Sequence, residues 1–87
     1  MRMDKFLKVS RIIKRRTLAN EACDREKVTI NGRVAKAGAE VKPGDVIEIR
    51  FGEKLTRLRV LKIAEHMRKE ETAEMYEILS SNGPLPE

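Results

Sequence analysis

The chain has no tryptophan, one tyrosine and two phenylalanines in 87 residues. Proteins that hold single-stranded nucleic acid stack its bases on exposed aromatic rings. Phe6 and Phe51 are needed in the core and Tyr76 lies far along the chain, so no stacking platform is available. Cysteine is nearly absent too. Cys23 stands alone, which excludes an internal disulfide and suits a reducing cytosol. No apolar run reaches the roughly 18 residues of a membrane span, and none near the N-terminus has signal-peptide character. The expectation is a soluble cytoplasmic domain with no membrane partner. A chain this short buries only about 60–65% of its unfolded surface, which leaves little room for a deep cleft.

Catalytic constellations are also missing. Enzymatic sites need convergent groups such as a nucleophile with a base, paired carboxylates or a metal cage. His66 is the only histidine and reads as an exposed surface residue. Cys23 falls on an apolar helix face and reads as a small core residue. Glu65, Glu70, Glu71, Glu74 and Glu77 read as a solvated acidic face. Gly32, Gly38, Gly44 and Gly52 fall in turns and form no phosphate-cradling loop. No enzyme, metal or cofactor is expected.

What is present is positive charge, unevenly spread. The net charge is +5. Residues 1–16 hold Arg2, Lys5, Lys8, Arg11, Lys14, Arg15 and Arg16 against Asp4 alone. Residues 64–87 hold two basic residues against six acids. Clustering of this kind, with three contiguous cations at 14–16, indicates a polyanion partner. A membrane surface fits less well, because an interfacial helix needs a broad apolar face with bulky anchors. Arginine forks pair bidentately with phosphate and lysine adds point charge. Roughly five to seven phosphates could be engaged, giving log affinity a slope of about −4 to −6 against log salt. Without aromatic platforms, the patch suits folded RNA read by shape and backbone.

Periodicity gives the elements. Met3, Phe6, Leu7 and Ile13 recur at helical spacing, with Asp4 placed as an N-terminal anion or cap and Lys5, Lys8 and Arg11 along one face. A second helix is predicted from about Arg15 to Arg25, with Leu18, Ala22 and Cys23 facing inward. Val28 and Ile30 alternate before Asn31-Gly32, a hairpin signal, and Val34 opens the return strand. Lys42-Pro43-Gly44-Asp45 is a turn. Val46–Phe51 alternates, with Ile47, Ile49 and Phe51 on one face. After a turn at Gly52-Glu53-Lys54, a strand is predicted over Leu55–Ile63 with Leu58 and Val60 opposite Arg57 and Arg59. A short helix is predicted over Glu70–Ser80, using Ala73, Met75, Tyr76, Ile78 and Leu79. The fold class is α+β: two N-terminal helices packed on a small, mostly antiparallel sheet, plus a short C-terminal helix.

These residues carry a resemblance. Arg2-Met3-Asp4-Lys5-Phe6-Leu7, Arg11, Lys14-Arg15-Arg16 with Leu18-Ala19, Val28 with Ile30-Asn31-Gly32, and Val41-Lys42-Pro43-Gly44-Asp45 with Ile47 resemble the RNA-binding domain named after ribosomal protein S-four. That resemblance implies an αL-type RNA-binding motif. Here the module stands nearly alone, followed by the Ala73–Leu79 segment, and in this the chain is similar to the RqcP family of ribosome-associated quality control. The resemblance implies binding to large ribosomal subunits obstructed by peptidyl-tRNA and contact with large-subunit rRNA and tRNA. It also implies support of RqcH as that factor adds a C-terminal alanine tail to the nascent chain. Arg2 and Arg16 match the family's characteristic RNA contacts, and the implied surface takes in Lys5, Lys8, Arg11, Lys14, Arg15 and Lys36. Residues 1–80 then form one RNA-binding domain (1–50 the core motif, 51–80 an extra strand and C-terminal helix), a monomer off the ribosome, and 81–87 a flexible tail.

One position departs from the family pattern. Glu26 stands where a glycine usually follows the second helix. Either it adopts a left-handed conformation at a cost of roughly 1 kcal/mol, or Asp24-Arg25-Glu26 closes the helix differently. Two other readings of the same module are a heat-shock-type binder of free large subunits carrying nascent chains, and an accessory subunit of an RNA-modifying enzyme. The short acidic C-terminus speaks against the heat-shock type, which adds a basic extension.

Overall fold

The computed structural model describes residues 1–66 and 68–81. Helix α1 spans Met3–Val9 and α2 spans Arg16–Asp24. Strands β1 (Val28–Ile30), β2 (Arg33–Val34), β3 (Val46–Phe51) and β4 (Lys54–Val60) follow. A 3-10 helix at Lys69–Glu74 and strand β5 (Tyr76–Ser81) complete the described chain. The strands form one sheet in the order β2-β1-β3-β4-β5, with every pairing antiparallel. Met3, Phe6, Leu7, Ala19, Ala22 and Cys23 of the helices share one core with Val28, Ile47, Ile49, Leu58 and Val60 of the sheet.

Helix α1 is a turn shorter than its apolar spacing suggests. Arg11 takes a left-handed φ of 62° and donates its N–H to the Lys8 carbonyl, while Ile13 donates to Leu7. Ile12 and Ile13 are still fully buried, so the apolar pattern reports burial beyond the helix itself. In α2 the inward face is Ala19, Ala22 and Cys23, at the i, i+3, i+4 spacing of one helical stripe. Leu18 lies a step off that stripe and is 40% exposed, contrary to expectation.

Glu26 does adopt the left-handed conformation, with φ of 60°. Its N–H donates to the Cys23 carbonyl and that of Lys27 to the Ala22 carbonyl, both at 3.0 Å. This is the paired 5→2 and 6→1 closure of a helix C-terminus, made here without glycine. The two hairpin turns follow their signals. Asn31 and Gly32 both have positive φ, as a two-residue I′ turn requires, with Ile30 opposite Arg33. Asn31 also ties that turn to β3 by accepting the Val46 N–H and donating to Asp45. Gly52-Glu53 joins β3 to β4, with Phe51 opposite Lys54; the Phe51 side chain lies outside the description. Strand β4 ends at Val60 rather than Ile63.

The C-terminal helix is the main correction. Residues 69–74 form a 3-10 helix and Tyr76–Ser81 is a strand on the outer edge of β4. Tyr76 and Ile78 lie opposite inward-facing Val60 and Leu58, and Glu77 lies opposite Arg59, which it meets at 3.1 Å. Over so short a run, helical and alternating spacing coincide. An open β4 edge offers a row of N–H and C=O groups that a strand satisfies and a helix does not. Ser81, expected as the first residue of a flexible tail over 81–87, belongs to β5, opposite Thr56; the rest of that tail, 82–87, lies outside the described residues.

Replacing Glu26 by glycine should stabilise the protein by about 1 kcal/mol, because the left-handed position then carries no Cβ. Urea unfolding checks this, and a loss of stability would show that the Glu26 side chain is itself a stabilising contact.

Candidate nucleic-acid interface

The start of the chain is pinned to the segment between β2 and β3. The Met3 and Asp4 N–H groups, two of the donors a helix N-terminus leaves without partners, donate to the carbonyls of Ala39 and Ala37 at 2.9 and 3.2 Å. Val41 returns its N–H to the Met1 carbonyl, and the terminal ammonium meets Glu40 at 2.8 Å. Arg2 caps α1 in extended conformation, bridged to Glu40. Its guanidinium passes over Gly38, where an added Cβ would sit 3.8 Å away. Lys36 is exposed just before Ala37, so the loop brings it beside the start of α1.

Asp4 organises this corner. Its side chain is only 3% exposed. Oδ1 accepts from Arg2 Nε at 3.3 Å and from the Lys5 N–H at 2.8 Å. Oδ2 accepts from Arg16 Nε at 3.2 Å and from Asn20 Nδ2 at 3.4 Å. Burial raises the carboxyl pKa, but the hydrogen bond and charge of Arg16, joined by those of Arg2, outweigh it and hold it below the ordinary 3.8. Both arginines bond through Nε, and their side chains stay 58% and 50% exposed. One buried carboxylate thus fixes two forks side by side at the surface, with their terminal nitrogens outside the contact.

The start of helix α2 lies at the same corner. Its N-cap, Arg15, makes no side-chain cap, and the first turn holds no acid. Arg15 and Arg16 sit at the positive end of the helix dipole, while Glu21 and Asp24 occupy its negative half. Both placements oppose the macrodipole. A hollow of about 330 Å³ lined by Asp4, Arg16, Thr17 and Asn20 opens at this corner.

The remaining candidates divide. Lys14 and Arg15 are exposed in the corner between the helices. Arg11 lies outside the helix it was expected to share with Lys5 and Lys8, yet it lines one cleft with Lys8, Val9, Glu65 and His66. Lys5 is paired with Glu65, so this acid is not simply solvated. Sequence reasoning missed Asp4 as the joint between Arg2 and Arg16, and missed Asn20 altogether. The available signal was Arg16 and Asn20 one turn apart on α2, facing an acid that α1 buries.

Comparison with known proteins places the chain in a family. Residues 1–47 match the S4 domain family, so the chain is built on that module. It is 56% identical over 78 residues to the RQC P-site tRNA stabilizing factor of Halalkalibacterium halodurans, covering 90% of this chain and 89% of the relative. It is also 56% identical over 79 residues to the protein of that name in Bacillus subtilis, covering 91% and 92%. Among solved structures, Heat Shock Protein 15 of Vibrio cholerae superposes with a TM-score of 0.84 at 31% identity, over 92% of this chain and 82% of that one. The chain belongs to the family of RQC P-site tRNA stabilizing factors.

Because the Asp4 pKa is depressed in the fold, its contribution to stability is present above the ordinary 3.8 and is lost as pH falls through the depressed value. Asp4→Asn should cost about 1–3 kcal/mol at neutral pH, and much less in strong acid. Urea unfolding over a pH series from 7 downward into acid checks this, and a penalty that stays constant throughout would contradict the ionised bridge.

Proposed function

We propose that the chain is a non-catalytic RNA clamp of ribosome-associated quality control. The observation that carries this reading is the buried Asp4 carboxylate that sets Arg2 and Arg16 side by side at the uncapped start of α2. Two fixed forks suit two successive phosphates of a folded backbone. Lys8, Arg11, Lys14, Arg15 and Lys36 extend the positive surface, and Lys5 joins it when released from Glu65. The described chain acts as one RNA-binding unit, with β5 closing its sheet.

The relatives' names supply the setting, since each is called a factor that stabilises P-site tRNA. On this reading the protein works in the cytoplasm, on large ribosomal subunits still obstructed by peptidyl-tRNA. It bridges large-subunit rRNA and the tRNA, and it holds the tRNA while RqcH extends the nascent chain with alanine. The clamp supplies position and charge, and it is a monomer away from the ribosome.

A second reading, binding to free large subunits carrying nascent chains, is favoured by the superposition on Heat Shock Protein 15. The 56% identity to the tRNA-stabilizing relatives, against 31% to that protein, favours the first. Alanine-tailed nascent chains that co-purify with the protein support the first reading, and their absence supports the second.

Arg16→Ala should weaken binding to obstructed large subunits by about 1–3 kcal/mol. Asp4→Asn makes the protein more positive, yet it should also weaken binding, by about 0.5–1.5 kcal/mol for each fork no longer held. Co-sedimentation over a concentration series reads both. Tighter binding by the Asp4 variant would reduce the site to bulk charge, and unchanged binding by the Arg16 variant would remove it.

A further inference from the structure

After β4, residues 61–66 run back to α1. They bring Glu65 and His66 to a cleft of about 160 Å³ whose other walls are Lys8, Val9 and Arg11. Glu65 Oε2 accepts a hydrogen bond from Lys5 Nζ, sixty residues away in sequence. Lys5, by hydrogen bond and charge, holds the Glu65 carboxyl below its ordinary value, with His66 adding a little, against a small effect of burial. Glu65 is 66% exposed and Lys5 34%. An ion pair this open to water is weak and screened by salt.

A carboxylate on a half-buried lysine is chemically what an RNA phosphate oxygen would be there: an anionic acceptor of the same charge-assisted bond. Of the cations from Arg2 to Arg16, Arg2 and Arg16 are held by a buried acid that fixes their geometry. Lys5 is instead held by an exposed acid that fills its place. The first arrangement prepares a contact and the second withholds one.

We propose that Glu65 is a built-in competitor for RNA phosphate at Lys5. It denies this cation to RNA held loosely by charge, and yields it to RNA already seated on the Arg2–Asp4–Arg16 corner. When seated RNA arrives, one ion pair is exchanged for another, so the seated complex forms at little cost. Loosely bound RNA meets one cation fewer beside Lys8 and Arg11. Glu65 is therefore a specificity-determining residue, acting against non-specific binding. This inference rests on the RNA-clamp reading.

The test is binding of a random-sequence RNA duplex across a salt series. The variants are Glu65→Gln, the charge-matched control Glu74→Gln on the 3-10 helix, and Lys5→Gln alone and combined with Glu65→Gln. Glu65→Gln should bind roughly three- to ten-fold tighter at low salt, with a salt slope steeper by about 0.7–0.9, one added phosphate contact. Glu74→Gln should leave the slope unchanged, Lys5→Gln alone should change affinity by less than about twofold, and the double variant should lose the gain. Equal effects of the two glutamate variants, or a gain that survives loss of Lys5, would overturn the proposal. Wild-type protein that binds no RNA at any salt would instead overturn the clamp reading itself.

Discussion

A carboxylate that is almost fully buried stays ionised only if positive charge and hydrogen bonds replace its lost water. Asp4 satisfies that requirement with Arg2, Arg16, Asn20 and a backbone N–H, and much of the molecule is arranged around it. The loop from Ala37 to Val41 clamps the first residues so that Arg2 reaches one oxygen. The left-handed break at Arg11 turns the chain so that α2 begins with Arg16 beside the other. Both arginines remain at the surface because only one nitrogen of each is drawn inward. The constraint that stabilises the corner is therefore also what orients its cations.

The corner is held against several local preferences. Helix α2 has cations at its N-terminus and acids in its later turns, and Arg11 and Glu26 occupy conformations that favour glycine. Each costs stability on its own. They are sustained by a shared core in which Phe6, Leu7, Ile12 and Ile13 of the α1 region pack with Ile47, Ile49 and Leu58 of the sheet. Strain and reversed polarity concentrate at the ends of the helices, where exposed charge also gathers. Elsewhere, turn chemistry and alternation agree with the fold.

Much of this was legible in the residues. The Asn31-Gly32 and Pro43-Gly44 turns and the alternation of β3 and β4 are local signals, set by backbone sterics and by one buried face, and they hold. The basic corner was legible as charge. The end of α1 was not, because Ile12 and Ile13 continue the apolar pattern after Arg11 has left the helix. Strand β5 was not, because Met75–Leu79 fits both periods and only the open edge of β4 decides between them. The Asp4 junction and the Lys5–Glu65 pair span 12 and 60 residues. Contacts at that separation depend on how helices and loop are brought together, and spacing along one element does not reveal them.

The central claim is that a pre-set pair of arginine forks, rather than diffuse positive charge, grips the RNA. The most direct measurement is a structure of the chain on a large ribosomal subunit obstructed by peptidyl-tRNA. The account predicts Arg2 and Arg16 with terminal nitrogens about 3 Å from RNA phosphate oxygens, while both Nε contacts to Asp4 persist. RNA lying instead against the Arg57 and Arg59 face of the sheet, or Arg16 turned away from Asp4 in the complex, would contradict it.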